Sequence, residues 1–165
     1  MKLVFTTTLL FFTFIAFCQS PEIPDDVKLE TAQDYKDKEQ LVLKSIQWLA
    51  NTPINQQIDE RKKVNTFLIQ WLTGSPSVSI ELRSEFLPDN CADCMMSFMA
   101  GWTKYSLEND YSKDKVACAI AGINSVIALY EKNKESLGRN ADIEKMIKRK
   151  KKEKLQKYVE GVFSD

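Results

Sequence analysis

The residues of this 165-residue chain that are best suited to chemistry are its closely spaced cysteines. Cys91 and Cys94 are separated by Ala92 and Asp93, and Cys118 is the next cysteine along the chain. Residues three apart on a helix lie roughly 5–6 Å apart, close enough for a disulfide. A thiol at a helix N-terminus also has a lowered pKa, and its thiolate attacks disulfides. The pattern therefore indicates a structural disulfide or a redox-active pair.

Three features favour a structural role for these cysteines. Asp89 and Asp93 place negative charge beside the thiols, which raises a thiol pKa. No βαβ pattern precedes the pair, as a thioredoxin-like site requires. Cys118 offers a second pairing, in which Cys91 or Cys94 would join two helices. We expect a structural disulfide and leave open which cysteines form it; a zinc site would lack a fourth ligand.

A basic segment near the C-terminus is the second feature. Residues 145–157 contain eight Lys and Arg side chains. Through Lys148, Arg149 and Lys152 such a surface could bind an envelope protein or an anionic surface. The alternative is a solvated helix face, because lysine stems can cover the edges of neighbouring apolar residues. No aromatic side chain lies among these lysines to stack on bases, which argues against nucleic acid.

The tryptophans occur at helical spacing among other apolar residues. Trp48, Trp71 and Trp102 are therefore expected in the core of a helical protein. Phe67 and Trp71 belong to the clearest amphipathic pattern in the chain and are predicted core residues. Trp102 and Tyr105 could instead line a groove between helices that binds a small molecule or lipid.

The absence of histidine excludes several classes of site. The chain has no histidine, and its 23 basic residues balance its 23 acidic residues. Without histidine there is no Ser-His-Asp or Cys-His catalysis, no imidazole metal ligand and no haem attachment motif. No phosphate-binding loop or nucleophile elbow is present. We expect a non-enzymatic binding or structural protein that holds no cofactor and no metal.

The first 18 residues have the pattern of a secretory signal peptide. Residues 3–17 are uncharged and fall short of the ~20 residues of a membrane-spanning helix. Ala16 and Cys18 fit the −3 and −1 positions of a cleavage site, which leaves Gln19 first in the mature chain. A lipid anchor on Cys18 is a minor alternative, because the bulky Phe17 precedes it, and an uncleaved anchor is another. The sequence predicts export to the periplasm or the medium.

The remaining chain predicts an all-α, single-domain bundle. Residues 19–30 are expected to form an irregular acidic lead-in, and residues 31–165 the helical domain. Apolar residues at steps of three and four predict five helices. These helices are expected at about 31–51, 56–73, 91–108, 113–132 and 140–162. Alternation in residues 77–82 predicts one short extended segment, which packs as a connection because a single strand makes no sheet.

Several residues are expected to begin or end these helices. Thr31 with Asp34 resembles a capping box, and Gly74 is expected to end the second helix as a left-handed residue. The other predicted N-caps are Asn90, Ser112 and Asn140. The third helix is expected to turn its apolar face inward, namely Cys94, Met95, Phe98, Trp102 and Tyr105.

Three short segments resemble an uncharacterised family of exported bacterial proteins. They are Phe98–Tyr105 (FMAGWTKY), Trp71–Pro76 (WLTGSP) and Ala121–Ile123 (AGI). The resemblance covers roughly residues 35–160. It implies a bacterial envelope or secreted setting and carries no activity to this chain.

Overall fold

The computed structural model describes residues 19–164, and within that range the chain forms helices and no strands. The predicted all-α fold is confirmed. The helices are α1 (Ala32–Asn51), α2 (Ile58–Gly74), α3 (Ala92–Glu108), α4 (Lys115–Lys132), α5 (Lys134–Leu137), α6 (Ala141–Lys151) and α7 (Leu155–Ser164). Among these helices none has both the length and the hydropathy that crossing a bilayer requires. The predicted signal peptide, residues 1–18, lies outside the described residues.

Two predicted N-caps are confirmed by their hydrogen bonds. The Asp34 N–H donates to Thr31 Oγ1 at 3.2 Å, and the Thr31 N–H donates to the Asp34 carboxylate at 2.7 Å. This reciprocal capping box begins α1 and holds the pKa of Asp34 below its ordinary value. Asn140 caps α6, since its side-chain oxygen accepts the N–H groups of Asp142 and Ile143 at 3.1 Å.

Two other predicted caps are wrong by one or two residues. α3 is capped by Cys91 rather than by Asn90, which has a φ of +57°. α4 is capped by Asp114 rather than by Ser112, because the Asp114 carboxylate accepts two backbone N–H groups at 3.0 Å. A carboxylate is a stronger acceptor than a hydroxyl and also favours the positive end of the helix dipole.

Gly74 stands at the end of α2 in a close contact with Tyr35, and it does not have the left-handed φ that the sequence predicts. It is the last helical residue, and its φ is not positive. A Cβ at this position would overlap the Tyr35 hydroxyl of α1. Trp71 donates its indole N–H to the Tyr35 carbonyl at 2.9 Å, so the same stretch of α1 meets α2 at two points. The glycine therefore leaves room for the Tyr35 side chain at the end of α2.

The predicted helix over residues 140–162 is two helices, because α6 ends at Lys151 and α7 begins at Leu155. The Lys154 N–H donates to the Arg149 carbonyl at 2.9 Å, and the Glu153 N–H donates to the Lys150 carbonyl at 3.0 Å. This pair of bonds is a Schellman motif, with Glu153 at a φ of +56° in the place that glycine usually takes. With the one-turn α5, the five predicted helices become seven in the described range.

The lead-in and the 77–82 connection contain no regular structure. Residues 19–30 form neither helix nor strand, and Ile23 and Val27 lie half-buried against the core. In the connection, Val78 is buried and Ile80 half-buried, whereas Leu82 is 46% exposed. The segment continues into a 3₁₀ turn, Ser84–Phe86. It is a packed connection without a pairing strand, as the alternation predicts.

The C-terminal end of α1 is held by α4. Lys132 donates from Nζ to the carbonyls of Ala50 at 3.0 Å and Asn51 at 2.5 Å. Asn133, which follows α4, accepts the Ile54 N–H at 3.0 Å. A cation at a helix C-terminus is stabilising because it faces the negative end of the helix dipole. This clamp holds the last two residues of α1 and Ile54, in the connection between α1 and α2, against the end of α4.

The core confirms the predicted burial of the tryptophans. Phe67 is 1% exposed and Trp71 0%, and Trp48 and Trp102 are similarly enclosed. The predicted inward face of α3 is wrong at Met95, which is 41% exposed, whereas the neighbouring Met96 is 8% exposed. The inward stripe of α3 therefore passes through Met96.

α3 and α4 share the most extensive helix contact in the described chain. Two glycines lie in this contact. A Cβ on Gly101 would come within 2.7 Å of the Ala121 carbonyl oxygen, and one on Gly122 within 2.7 Å of the Phe98 ring. Both separations are shorter than real Cβ contacts, so the helix backbones approach as closely as glycine allows.

We expect Gly122→Ala to destabilise the protein by about 1–3 kcal/mol, since the added methyl group overpacks the α3–α4 contact. Gly161→Ala is the matched control, because a Cβ at Gly161 on α7 meets nothing within 4 Å. It should stabilise by up to about 1 kcal/mol through helix propensity. Urea unfolding of both variants measures the difference; equal stability of the two would show that α3 and α4 can separate at no cost.

Candidate functional site

The structure pairs Cys91 with Cys94 in a disulfide at the first turn of α3, with their Cα atoms 5.2 Å apart. The Cys94 N–H donates to Cys91 Sγ at 3.2 Å, so the sulfur also caps the helix. Cys91 is half-buried and Cys94 is completely buried. Of the three pairings left open by the sequence, the structure has the one between the two nearest cysteines.

Cys118 is a buried free thiol on α4. Its sulfur lies 3.7 Å from the Ser112 carbonyl oxygen. Burial, with a smaller contribution from the Asp114 carboxylate, raises the pKa of the Cys118 thiol to about 11. Since the thiolate is the reactive form, this cysteine is chemically inert at neutral pH.

The basic segment does not form one continuous surface helix. The Arg149 guanidinium lies 3.9 Å from the centre of the Tyr158 ring and 4.0 Å from Met146 Sδ. Arg149 therefore packs α6 against α7. Lys148 and Lys152 are exposed, and within the described range neither forms an ion pair. Both side chains are therefore accessible from solvent. The helix that contains Lys148 ends at Lys151, and Lys152 is its C-cap.

The aromatic candidates are mostly enclosed. Trp102 is 3% exposed and lies 6.0 Å from the Phe98 ring, and Tyr105 is half-buried. Trp102 also lines a groove between residues 75–81 and 112–115. There the Glu81 carboxylate pairs with Lys115 at 2.6 Å, which lowers the pKa of Glu81. Two of the charges in the groove, Glu81 and Lys115, are therefore paired with each other, and Lys113 is a further charged residue that lines it.

A cavity of about 100 Å³ lies between α1, α2, α3 and α4. No pattern in the sequence predicts this cavity. Its apolar wall consists of Ile46 and Leu49 from α1, Met96 from α3 and Leu129 from α4. The small side chains of Ala50, Ala100 and Ala128 line the rest of the cavity. Ala50 and Ala128 are exposed and mark the side that is open to solvent.

Arg61 is the charged residue most deeply buried in this cavity wall, at 7% exposure. Its Nη2 donates to the carbonyls of Thr52 at 2.6 Å and Pro53 at 3.1 Å, and its guanidinium carbon lies 6.0 Å from the Trp48 ring. Its Nε is buried without a hydrogen-bond partner. Burial lowers the pKa of Arg61, and the charge of Asp93 acts in the opposite direction.

Further polar groups line the same cavity. Asn65 lies one turn from Arg61 on α2, and its Oδ1 is buried without a partner. Asp93 lines the cavity from α3, beside Ser97, and Ser125 lines it from α4. Of the five buried side-chain N and O atoms that lack a partner in the described range, two therefore belong to this wall. The cavity wall therefore combines polar side chains with an apolar surface, while the two unpartnered atoms are themselves enclosed by protein.

A signal for Arg61 was present in the sequence. Arg61, Val64, Leu68 and Trp71 follow one another at steps of three and four, so the arginine occupies the apolar stripe of α2. A charged residue on such a stripe is rarely fully buried unless it is paired. Asn65 and Asp93 carry no comparable signal, because polar residues beside an apolar stripe usually face solvent.

Among the described residues, no group of three or more His, Cys, Asp or Glu side chains is placed to hold a metal ion. Comparison with protein-family models, with curated proteins and with solved structures found no match to this chain.

We expect Cys118 to resist alkylation by iodoacetamide in the native protein at pH 8 and to react readily in urea. Its raised pKa also implies that the free energy of unfolding falls as pH rises from 9 toward 11, because the unfolded thiol ionises first. Mass mapping of the peptide that contains Cys118 measures the labelling. Native labelling as fast as in urea would contradict its burial, and a Cys118→Ala variant controls for the pH dependence of unfolding.

Proposed function

We propose that this chain is a non-enzymatic binding protein that holds a small molecule in the cavity between α1, α2, α3 and α4. The observation that carries the proposal is a cavity of about 100 Å³ in which an apolar wall lies beside the buried, charged Arg61. Burying a charge is costly unless its hydrogen bonds are made. Arg61, Asn65 and Asp93 line the cavity beside its apolar wall, so a bound molecule with one polar and one apolar part would meet both kinds of surface.

The dimensions of the cavity suit a small ligand. An engineered, apolar protein cavity of about 150 Å³ binds benzene, so about 100 Å³ suits a group of roughly four or five non-hydrogen atoms. Ile46, Leu49, Met96 and Leu129 provide the apolar contacts for that group. The polar part of a larger molecule can extend toward the exposed Ala50 and Ala128.

We also propose that the protein works outside the cytoplasm, in the periplasm, at the envelope or in the medium. The uncharged segment of residues 3–17 and the Ala16/Cys18 cleavage pattern support export. The disulfide of Cys91 and Cys94 agrees with an oxidising compartment. Lys148 and Lys152 would provide the contact with an anionic envelope surface.

We expect at least one of four small probes to bind the cavity: L-valine, isovalerate, isobutylamine or isobutanol. Binding at a concentration of 100 Kd should stabilise the fold by about 2.7 kcal/mol. Thermal unfolding with each probe measures the gain, and amide NMR shifts confined to the cavity residues identify the site.

Ala128→Phe is the blocking variant for this test, because Ala128 lies at the exposed side of the cavity. It should abolish the response to the probe. Ala141→Phe is the control, since this exposed alanine on α6 lies outside the cavity and should leave the response intact. A protein that none of the four probes stabilises is not a small-molecule binder of this kind.

A thiol–disulfide function is the second candidate, and the position of Cys91 favours it. Cys91 is the half-buried N-cap of the 17-residue α3, and its partner Cys94 is completely buried. A helix N-terminus stabilises a thiolate at such a position. Asp93, in the first turn of the helix, opposes that effect by its negative charge.

We expect the disulfide to be structural. Cys94→Ser and Cys91→Ser should each form no specific mixed disulfide with another envelope protein, as non-reducing gels of an expressing strain would show. The double serine variant should lose about 2 kcal/mol of stability or less, because such a short loop removes little entropy from the unfolded chain. A specific mixed disulfide formed by Cys94→Ser and absent from Cys91→Ser would make the redox function the first candidate.

A further inference from the structure

We infer that the groove between residues 75–81 and 112–115 binds an extended peptide segment of another protein, one that carries an acidic side chain. This groove shares no lining residue with the cavity between α1, α2, α3 and α4, so the inference goes beyond the function proposed above. Its basis is a stretch of extended chain with unused backbone hydrogen bonds beside a positively charged wall. A peptide laid along that stretch would pair with it as a second strand.

The backbone of residues 79–82 makes no hydrogen bond within the described chain. None of its N–H groups donates to a carbonyl or a side chain, and none of its carbonyls accepts. The nearest bonds lie at its two ends. The Val78 N–H donates to Ser75 Oγ at 3.3 Å, and the Arg83 carbonyl accepts the Phe86 N–H at 3.1 Å. Unpaired backbone groups of an extended chain are a template for pairing with another chain.

This segment also has the burial pattern of a strand. Val78 is buried, Ser79 is exposed and Ile80 is half-buried, so successive side chains point alternately toward the core and away from it. At the end of the segment, Arg83 has a φ of −122° and a ψ of 133°, which are extended values. Val78 and Ile80 are β-branched and favour this conformation. Because the core holds these two side chains, the segment meets a partner already extended.

The groove follows the edge of the segment. Every residue from 77 to 81 lines it. Successive side chains of an extended chain point to opposite faces, so a groove that touches each residue in turn lies beside the backbone. Ser112, Lys113 and Lys115 form the opposite wall, and the buried Trp102 also lines the groove. The volume of about 400 Å³ lies within the range of about 300–1,000 Å³ that ligand pockets have.

The charges of the groove favour an acidic partner. Lys113 is exposed and, among the described residues, makes no ion pair. Lys115 pairs with Glu81 at 2.6 Å, and Glu81 pairs with Arg83 at 2.7 Å as well. Asp114 does not line the groove, because its carboxylate accepts the N–H groups that begin α4. The lining residues therefore hold two cations and one anion, and an acidic side chain of the peptide would meet Lys113.

The experiment selects from a library of random decapeptides displayed on phage, with the purified protein as the target. The enriched peptides should share an acidic residue and lack proline in the paired stretch, since proline has no backbone N–H to donate. A synthetic copy of the most enriched peptide then serves as the probe, and its fluorescence anisotropy measures Kd. A library from which no acidic peptide is enriched would overturn the inference.

Lys113→Glu tests the charge of the groove. It should weaken the selected peptide by about tenfold or more, because a charged hydrogen bond is lost and a repulsion takes its place. The fold is at little risk, since Lys113 is exposed and precedes the N-cap of α4. Lys44→Glu is the matched control, because Lys44 is an exposed lysine on α1 that does not line the groove. Equal binding by Lys113→Glu and Lys44→Glu would overturn the site.

Backbone pairing is tested with copies of the same peptide that are N-methylated at one residue at a time. The N–H groups of alternate residues in a strand point to the same neighbour. Methylation should therefore weaken binding by up to about tenfold at every second position of the paired stretch and have little effect between these positions. A series without this alternation would show binding through side chains alone and would overturn the strand pairing.

A second copy of this chain is the competing occupant, through its own residues 77–82. Sedimentation at the protein concentration of the peptide titration should show a monomer. A dimer that the selected peptide dissociates would assign the groove to contact between copies and would overturn the inference of a foreign peptide.

Discussion

The close approach of α3 and α4 is the constraint on which the rest of this structure depends. Gly101 and Gly122 leave no room for a Cβ, so each backbone lies directly against side chains of the other helix. These two helices bring Cys94, Phe98 and Cys118 into one buried cluster with the tryptophans. α1 and α2 then pack on this pair as a second unit, joined by Trp71 and Tyr35. The cavity forms where the two units meet and small side chains line the gap.

The sequence predicts those parts of the fold that local rules control. Thr31 and Asn140 are caps in the structure because a short polar side chain satisfies the free N–H groups of the turn that follows it. Phe67 and Trp71 are core residues because their spacing places them on one face of a helix. These features depend on residues that are close in sequence, and so the sequence pattern predicts them.

The sequence predictions are wrong or incomplete where tertiary contacts determine the structure. Glu153 takes a left-handed φ that usually signals glycine, so the break between α6 and α7 has no glycine to announce it. A weaker signal existed, because the apolar stripe of α6 would continue through Lys150, Lys151 and Lys154. The cavity was missed for a related reason. It depends on four helices arranged around Arg61, and helical periodicity gives no distances between helices.

The connection between α1 and α2 has a further consequence for the dynamics of the protein. Arg61 from α2 binds its carbonyls at Thr52 and Pro53, Lys132 from α4 binds the last two carbonyls of α1 just before it, and Asn133 accepts its Ile54 N–H. Loops usually open by themselves, at low free-energy cost. This loop can open only after its contacts with Arg61, Lys132 and Asn133 break. We therefore expect its backbone N–H groups to exchange with deuterium in the same cooperative unit as the ends of the two helices that hold it. We therefore expect the Arg61 side of the cavity wall to exchange slowly, together with the ends of these helices.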